Sequence, residues 1–359
     1  MRILGIETSC DDTSIAIVSI DNNQSEVLSF VVSSQTQTHT KYGGIVPYLA
    51  AREHANNLDT VLKLVLRKAD IPNIKDLDAI AVTIGPGLAP SLLTGLSFAK
   101  ALAWKYNKPL IGVNHMKGHV YSNWLLPEKE NGRFPVTGSR SMFPSLVLIV
   151  SGGHTELVIM NDYEKFERIG ATLDDAAGEA FDKIARLIGL EFPGGPILAK
   201  RAEKVKERKT TIELPRPMIK SGNYNFSFSG LKTAVLYLVK KLEKDQDGKL
   251  SETLIDEISS EAQQAIVDVL VAKTIDAAEE FNVSSIMLAG GVSANKLLRQ
   301  TLGFKSKEIG IPYFQPLPEY TTDNGAMIAM AGYFKKTFSM DNESYHWQTA
   351  DIEPNLDII

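Results

Sequence analysis

Three times along this chain an apolar strand pattern runs straight into a turn of glycines and hydroxyls, and that repetition restricts the fold more than any other feature. The first is Leu4-Gly5-Ile6-Glu7-Thr8-Ser9-Cys10-Asp11-Asp12-Thr13-Ser14-Ile15-Ala16-Ile17: a strand, a turn with four hydroxyls and two carboxylates, then a strand. The second is Val147-Leu148-Ile149-Val150-Ser151-Gly152-Gly153-His154-Thr155-Glu156-Leu157-Val158, again strand, turn, strand. In the third, Ile286-Met287-Leu288-Ala289-Gly290-Gly291-Val292-Ser293-Ala294-Asn295, the turn opens a helix. Glycine lets backbone N–H groups approach a ligand, and a helix start adds partial positive charge, so such turns suit phosphates. Neither G-x-G-x-x-G nor G-x-x-x-x-G-K-[ST] occurs, which sets the pattern apart from the dinucleotide-binding and P-loop folds.

Between the turns, short β-branched runs alternate with helical patterns, which predicts an α/β fold. Strands are predicted over 3–6, 14–19, 79–84, 110–113, 146–150, 156–160 and 285–289. Helices are predicted over 52–69, 91–106, 176–188, 196–207, 229–242, 253–281 and 295–302. The stretch 127–144, with its Pro, Gly, Ser and mixed charges, reads as a linker or exposed loop. A lobe boundary near Phe143 then gives an N-terminal lobe over 1–142, a C-terminal lobe over 143–335 and a tail over 336–359. At 359 residues the chain is long enough for two domains or one duplicated unit. With 44% hydrophobic and 23% charged residues it is neither disordered nor fibrous. A single cysteine, Cys10, excludes an internal disulfide and a cysteine-based zinc site. No apolar run reaches the roughly 18 residues of a membrane span, and no signal peptide precedes the first strand, so a soluble, reducing, cytoplasmic setting is expected.

Two such hairpins, one opening each half, with a Gly-Gly turn near the end, resemble the actin, sugar-kinase and Hsp70 superfamily. That resemblance implies two duplicated lobes with a nucleotide in a central cleft.

A second signal is Asn114-His115-Met116-Lys117-Gly118-His119, whose histidines stand four apart. On a helix that spacing puts both imidazoles on one face, where they can chelate one divalent metal if a third ligand is supplied. Asp323, in a turn leading to a helix, is the candidate third ligand. The H-E-x-x-H proteases place a general base directly after the first histidine, and here that position is Met116. His39, His54 and His346 read as structural or solvated, and His154 is set apart by its place in the second glycine turn.

Eight ordered motifs, G-I-E-T-S-C-D at 5–11, H-x-x-x-H at 115–119, V-S-G-G-H-T at 150–155, D-D-A-A-G-E-A-F-D-K at 174–183, P-G-G-P at 193–196, F-S-F-S-G-L-K-T at 226–233, A-G-G-V-S-A-N at 289–295 and T-D-N-G-A-M-I-A at 322–329, closely resemble the bacterial tRNA threonylcarbamoyl-adenosine transferase family, once called the glycoprotease family. The resemblance implies transfer of a threonylcarbamoyl group from threonylcarbamoyl-AMP to the exocyclic amine of the adenine beside the anticodon, in tRNAs reading codons that begin with A. By motif position it implies His115, His119 and Asp323 as ligands of one divalent metal per subunit, iron or else zinc. It places substrate contacts on Ile149, Val150, Ser151, Gly152, Gly153, Asp182, Gly195 and Asn295. It also implies two partner proteins, an inactive paralogue of similar fold and a small P-loop ATPase, and no membrane partner. Many members carry Asp-Glu after the cysteine, whereas this chain has Asp11-Asp12, one methylene shorter at the second position.

The chemistry asks for a group near the amine to accept its proton, with Asp11 the first choice and Asp12 in reserve; alternatively both carboxylates only orient the turn. Gly178 in a predicted helix points to a close approach there, and Asp182 suits a ribose lying on Gly194-Gly195. The stretch 200–220 holds eight bases (Lys200, Arg201, Lys204, Lys206, Arg208, Lys209, Arg216, Lys220) against three acids, a local excess of five on a chain of net charge −5. It is either a docking patch for the tRNA backbone or a solvated helix face. Competing readings are a small-molecule kinase of the same fold, a metalloprotease-like hydrolase, and a non-catalytic partner subunit, which would be expected to lack the histidine pair.

Overall fold

The computed structural model describes residues 1–22, 24–125, 140–206, 212–245, 249–339 and 346–359. Most of the predicted linker, at 127–139, and Arg208 and Lys209 of the basic stretch lie outside the described residues. In chain order the strands are β1 (Arg2–Glu7), β2 (Asp12–Asp21), β3 (Gln24–Ser34), β4 (Ala79–Gly85), β5 (Leu110–Asn114), β6 (Ser145–Val150), β7 (Thr155–Asp162), β8 (Lys165–Ala171), β9 (Ser285–Ala289) and β10 (Tyr313–Phe314). The helices are α1 (Thr36–Thr40), α2 (Pro47–Lys68), α3 (Ala89–Tyr106), α4 (His115–Tyr121), α5 (Ala177–Leu187), α6 (Gly194–Ala202), α7 (Ser229–Asp245), α8 (Glu252–Glu280), α9 (Lys296–Glu308) and α10 (Gly325–Phe338).

The strands form two five-stranded sheets, ordered β3-β2-β1-β4-β5 and β10-β9-β6-β7-β8. Read outward from β1 and β6 the two orders are the same, as a duplicated unit requires. In the first sheet β1 pairs antiparallel with β2 and parallel with β4, and β5 continues parallel. In the second, β9 lies parallel to both β6 and β10.

The first compact unit comprises Met1–Met142, Met160–Phe166 and Pro316–Ile359. Its sheet carries an apolar core of Leu4, Ile6, Ile15, Ile17, Ile80 and Val82 packed with Leu58, Leu62, Val65 and Leu96 of α2 and α3. α10 lies on the same sheet at close range: a Cβ on Gly5 would sit 2.0 Å from the Gly325 carbonyl oxygen, and one on Gly325 would sit 2.6 Å from the Ala16 nitrogen. Facing glycines are therefore what let this helix touch β1 and β2. The sequence division had drawn 316–335 with the second lobe; in the structure these residues pack with the first unit because α10 covers the first sheet.

The second unit comprises Phe143–Ile159 and Glu167–Gln315. Its core joins Leu146, Leu148 and Val150 of β6 to Phe181 and Ile184 of α5, Leu231 and Val235 of α7 and a long row from α8. α8 is buried on nearly every side along its 29 residues, which is why its apolar residues lack a single stripe.

Candidate metal centre and glycine turns

In the first unit β5 ends at Asn114, which caps α4. Its side-chain oxygen accepts the N–H groups of Met116 and Lys117 at 2.8 and 3.1 Å. His115 and His119 then stand on one face of the helix, ring centroids 4.7 Å apart. Asp323 arrives from the turn ahead of α10, whose start is capped by Asn324 through a 2.9 Å bond from the Met327 N–H. Nε2 of His115 and Nε2 of His119 lie 3.5 and 3.2 Å from the same oxygen, Oδ1 of Asp323. One ligand atom from each of the three residues falls within 4.8 Å of the others.

Behind His115 stands Glu7, the last residue of β1 and fully buried. Its carboxylate meets His115 Nδ1 at 2.9 Å and accepts the Thr83 hydroxyl at 2.6 Å and the Ser9 N–H. The Ser9 hydroxyl also lies 3.2 Å from His115 Nδ1. Glu7 thus holds the proton on Nδ1 and leaves Nε2 to face Asp323, the arrangement by which metal-binding histidines are oriented. Burial opposes charge on His115, but the carboxylates of Glu7 and Asp323 outweigh it and raise its pKa to about 9. Burial likewise opposes charge on Asp323, yet His115 and His119 hold its pKa down at about 2.

The donor set fits a divalent metal on its own geometry. Among the described residues neither buried ring nitrogen of His119 makes a well-aligned hydrogen bond, Nε2 having only the Asp323 carboxylate at 3.2 Å, and a cation at Nε2 relieves that nitrogen. Two imidazoles and one carboxylate suit zinc or iron and leave a coordination position open.

The turn between β1 and β2 carries Asp11 and Asp12. Burial and the nearby charge of Asp323 raise the pKa of Asp11. Burial raises Asp12 to about 6, helped by Asp323 and Asp11 against a hydrogen bond from Ser34, and its buried Oδ1 has no hydrogen-bond partner among the described residues. Beneath the turn runs a chain of neutral groups. The Val46 N–H donates to His39 Nδ1 at 3.3 Å, so His39 Nε2 donates to Gln35 Oε1 at 3.1 Å. The Gln35 amide and the Thr13 hydroxyl then donate to His54 Nδ1 at 3.3 and 2.8 Å, and His54 Nε2 donates to the Cys10 carbonyl at 3.0 Å. His39 and His54 are fully buried, so both are structural, as read from sequence, and neither is solvated.

The second unit gathers the other predicted residues. Ile149 and Val150 are fully buried in β6, so only their backbone can meet a ligand. Ser151 closes its turn with bonds to His154, its N–H to the His154 carbonyl at 2.8 Å and its hydroxyl from the His154 N–H at 3.0 Å. Gly152 and Gly153 are exposed, with open space where a Cβ would point. The start of α5 and the third turn crowd against β6: a Cβ on Gly178 would meet the Ser151 carbonyl oxygen at 2.5 Å, and one on Gly290, at φ 88°, the Val150 carbonyl oxygen at 2.4 Å. Asp182 accepts the Gly195 N–H at 2.9 Å, joining two residues predicted together. Asn295 caps α9 through the Leu298 N–H at 3.1 Å, and its amide donates to Gln263 at 2.8 Å.

Sequence reasoning missed Glu7, Ser9 and Thr83 as supports of His115, although Glu7 and Ser9 stand in the first quoted motif. The available signal was a lone carboxylate closing an otherwise apolar strand, a placement that demands a partner. The basic stretch is also less basic in space than in sequence. Arg201 pairs with Glu252 and Asp256, Arg216 with Glu261 and Asp268, and Lys204 lies 3.9 Å from Asp256, all acids of α8 beyond the counted window.

The family model described as tRNA N6-adenosine threonylcarbamoyltransferase matches residues 26–330. The enzyme of that name from Thermosipho africanus (strain TCF52B) is 47% identical over all of this chain and all of its own length. The one from Bacillus subtilis (strain 168) is 46% identical over 92% of this chain and 90% of its own. Among solved structures, T.kodakarensis HypF superposes with TM-score 0.56 at 16% identity, covering 96% of this chain and 48% of HypF. A full-length HypF in a phosphate- and nucleotide-bound form gives 0.54 at 14% identity, covering 96% and 56%. At such identities the likeness concerns the fold alone, an α/β fold of the actin-like ATPase type. Taken with a relative nearly half identical from end to end, the match over 26–330 means that the chain belongs to the tRNA N6-adenosine threonylcarbamoyltransferase family.

Proposed function

We propose that this chain transfers a threonylcarbamoyl group from threonylcarbamoyl-AMP to N6 of the adenine beside the anticodon, in tRNAs reading codons that begin with A. The observation that carries the reading is 47% identity across the whole of both chains to a tRNA N6-adenosine threonylcarbamoyltransferase, beside the grouping of His115, His119 and Asp323 in this structure.

Attack by an aromatic amine on a carbamoyl carbon builds negative charge on the carbonyl oxygen and releases AMP as an anion. His115, His119 and Asp323 would hold an iron or zinc ion, which when bound would supply Lewis acidity for that charge. In the Ser151-Gly152-Gly153 turn the Ser151 N–H is taken by the His154 carbonyl, so the N–H groups of Gly152 and Gly153 would hold the phosphate, for which the absence of side chains there leaves room. Asp182, already bonded to the Gly195 backbone, would meet the ribose, with Asn295 beside the adenylate. Asp11 would take the proton lost by the amine, and Asp12 is the reserve; burial makes both stronger bases than ordinary aspartates.

An acidic chain whose basic stretch is partly neutralised needs help to hold a polyanion, which supports two partner proteins, an inactive paralogue of similar fold and a small P-loop ATPase. A tRNA substrate supports a cytoplasmic location, and among the described residues no helix is long and apolar enough to cross a membrane. The test is to offer tRNA with either threonylcarbamoyl-AMP or ATP, partners present. Modified adenosine is expected from the former alone, and a phosphorylated small alcohol made from ATP would overturn the reading in favour of a kinase.

A further inference from the structure

We infer that the C-terminal segment 353–358 is a strap that positions the His115–His119 helix and so sets its affinity for a divalent cation. The inference rests on the metal reading above. It concerns residues outside the 26–330 family match.

The segment reaches the metal helix by two routes. At its start the Glu353 N–H donates to the Ile84 carbonyl at 2.7 Å, and the Pro354 carbonyl accepts the Gly87 N–H at 3.1 Å. The approach is so close that a Cβ on Gly85 would lie 1.8 Å from the Glu353 carbonyl oxygen. One residue beyond Gly87, the Leu88 N–H donates to the Ser9 carbonyl at 2.8 Å, and the Ser9 hydroxyl lies 3.2 Å from His115 Nδ1. At the far end the Asp357 carbonyl accepts the side-chain amide of Asn114 at 2.8 Å. Ile358, 3% exposed, anchors that end, and Trp347, Ala350 and Ile352 pack on the first unit's core ahead of it.

The second route is the informative one. α4 has only seven residues, too few to hold its shape unaided, so its first turn depends on the Asn114 cap. A side-chain amide rotates as a plane. Fixing its nitrogen on Asp357 therefore aims its oxygen at the Met116 and Lys117 N–H groups and sets the orientation of the turn that carries His115. The strap acts through the Asn114 cap and the Gly87–Ser9 link, which makes Asn114 and 353–358 positioning elements.

The experiment is Zn2+ affinity, read by competition with a chromophoric chelator, for the full chain, for Asn114→Ser and for the chain shortened to residues 1–352. Serine still caps a helix but cannot reach Asp357. Zn2+ binding should weaken about tenfold in each, as for loss of groups that orient metal ligands. The metal-free Asn114→Ser protein should melt near the parent, and adding that substitution to the shortened chain should weaken binding little further, since both remove one link. Asn114→Ser binding Zn2+ within about twofold of the parent would overturn the strap, and that variant decides alone should the shortened chain fail to fold. If the parent itself takes up no Zn2+ and matches His115→Ala, the metal reading fails and the strap with it; uptake by the parent with Asn114→Ser unchanged sinks the strap alone.

Discussion

The two units repeat one strand order yet equip their first turns in opposite ways. After β1 the turn is wired by side chains: Glu7 bonds His115, Thr83 and Ser9, and His54 supports the Cys10 carbonyl. After β6 the corresponding turn is nearly bare, with Gly152 and Gly153 open and its neighbours brought close by the missing side chains of Gly178 and Gly290. On the proposed function, the difference follows from what each turn would hold. A compact cation needs a few atoms fixed in place by buried charges, whereas a phosphate and nucleoside need backbone N–H groups and room.

If the division is real, each site should fail separately. His115→Ala removes a chelating arm and should weaken metal affinity by more than about a hundredfold while adenylate still binds the glycine turns; equilibrium dialysis with Zn2+ and with AMP reads both. Parallel loss of AMP binding would break the comparison. In the second unit, Gly290→Ala forces a Cβ against the Val150 carbonyl at a φ of 88°, and about 3 kcal/mol of stability should be lost with AMP binding. Zn2+ uptake by the first unit should survive, which differential scanning calorimetry and the same dialysis would show.

A smaller effect sharpens the contrast through pH. Asp12 is raised to about 6 from 3.8, so the folded chain holds a proton that the unfolded chain has already released. Burial of Asp12 therefore costs nothing below about pH 4, where both states are protonated, and its penalty grows until about pH 6 and persists above. Asp12→Asn should accordingly stabilise the metal-free chain by up to about 3 kcal/mol at pH 7 and by nothing near pH 3.5. Denaturant melts at the two pH values test it, and an equal gain at both would remove the buried charge from the argument.

How much of this was legible in the sequence depended on which force placed each residue. Strand 285–289 was read to its ends, and β1, β4, β5 and β6 to within a residue or so, because each is a fully buried run bounded by turn residues. β3 and β8 were missed. Their exposed faces carry Gln24, Glu26, Glu167 and Arg168, and pairing with β2 and β7 makes them strands where their own composition does not. α4 was legible only as a histidine spacing, since seven residues give no periodicity to read. Asp323 was named as third ligand from its turn ahead of a helix and again by resemblance, but its meeting with the histidines was not legible: 204 positions separate it from His119, and α10 packing on the first sheet brings them together. Likewise nothing local in 200–220 announces that α8 supplies the opposing charges.

The face-to-face glycines of β1 and α10 also order events in time. Gly5 is made well before the helix that covers it, which includes Gly325, 320 residues later. On the ribosome β1 must therefore wait, one face uncovered, while the intervening 320 residues are made. The second unit runs without interruption from Glu167 to Gln315 after a short lead-in at Phe143–Ile159, so its contacts can close as it emerges. Long sequence separation slows closure, and the grouping of His115 and His119 with Asp323, which lies just ahead of that covering helix, can form only after the second unit has been made.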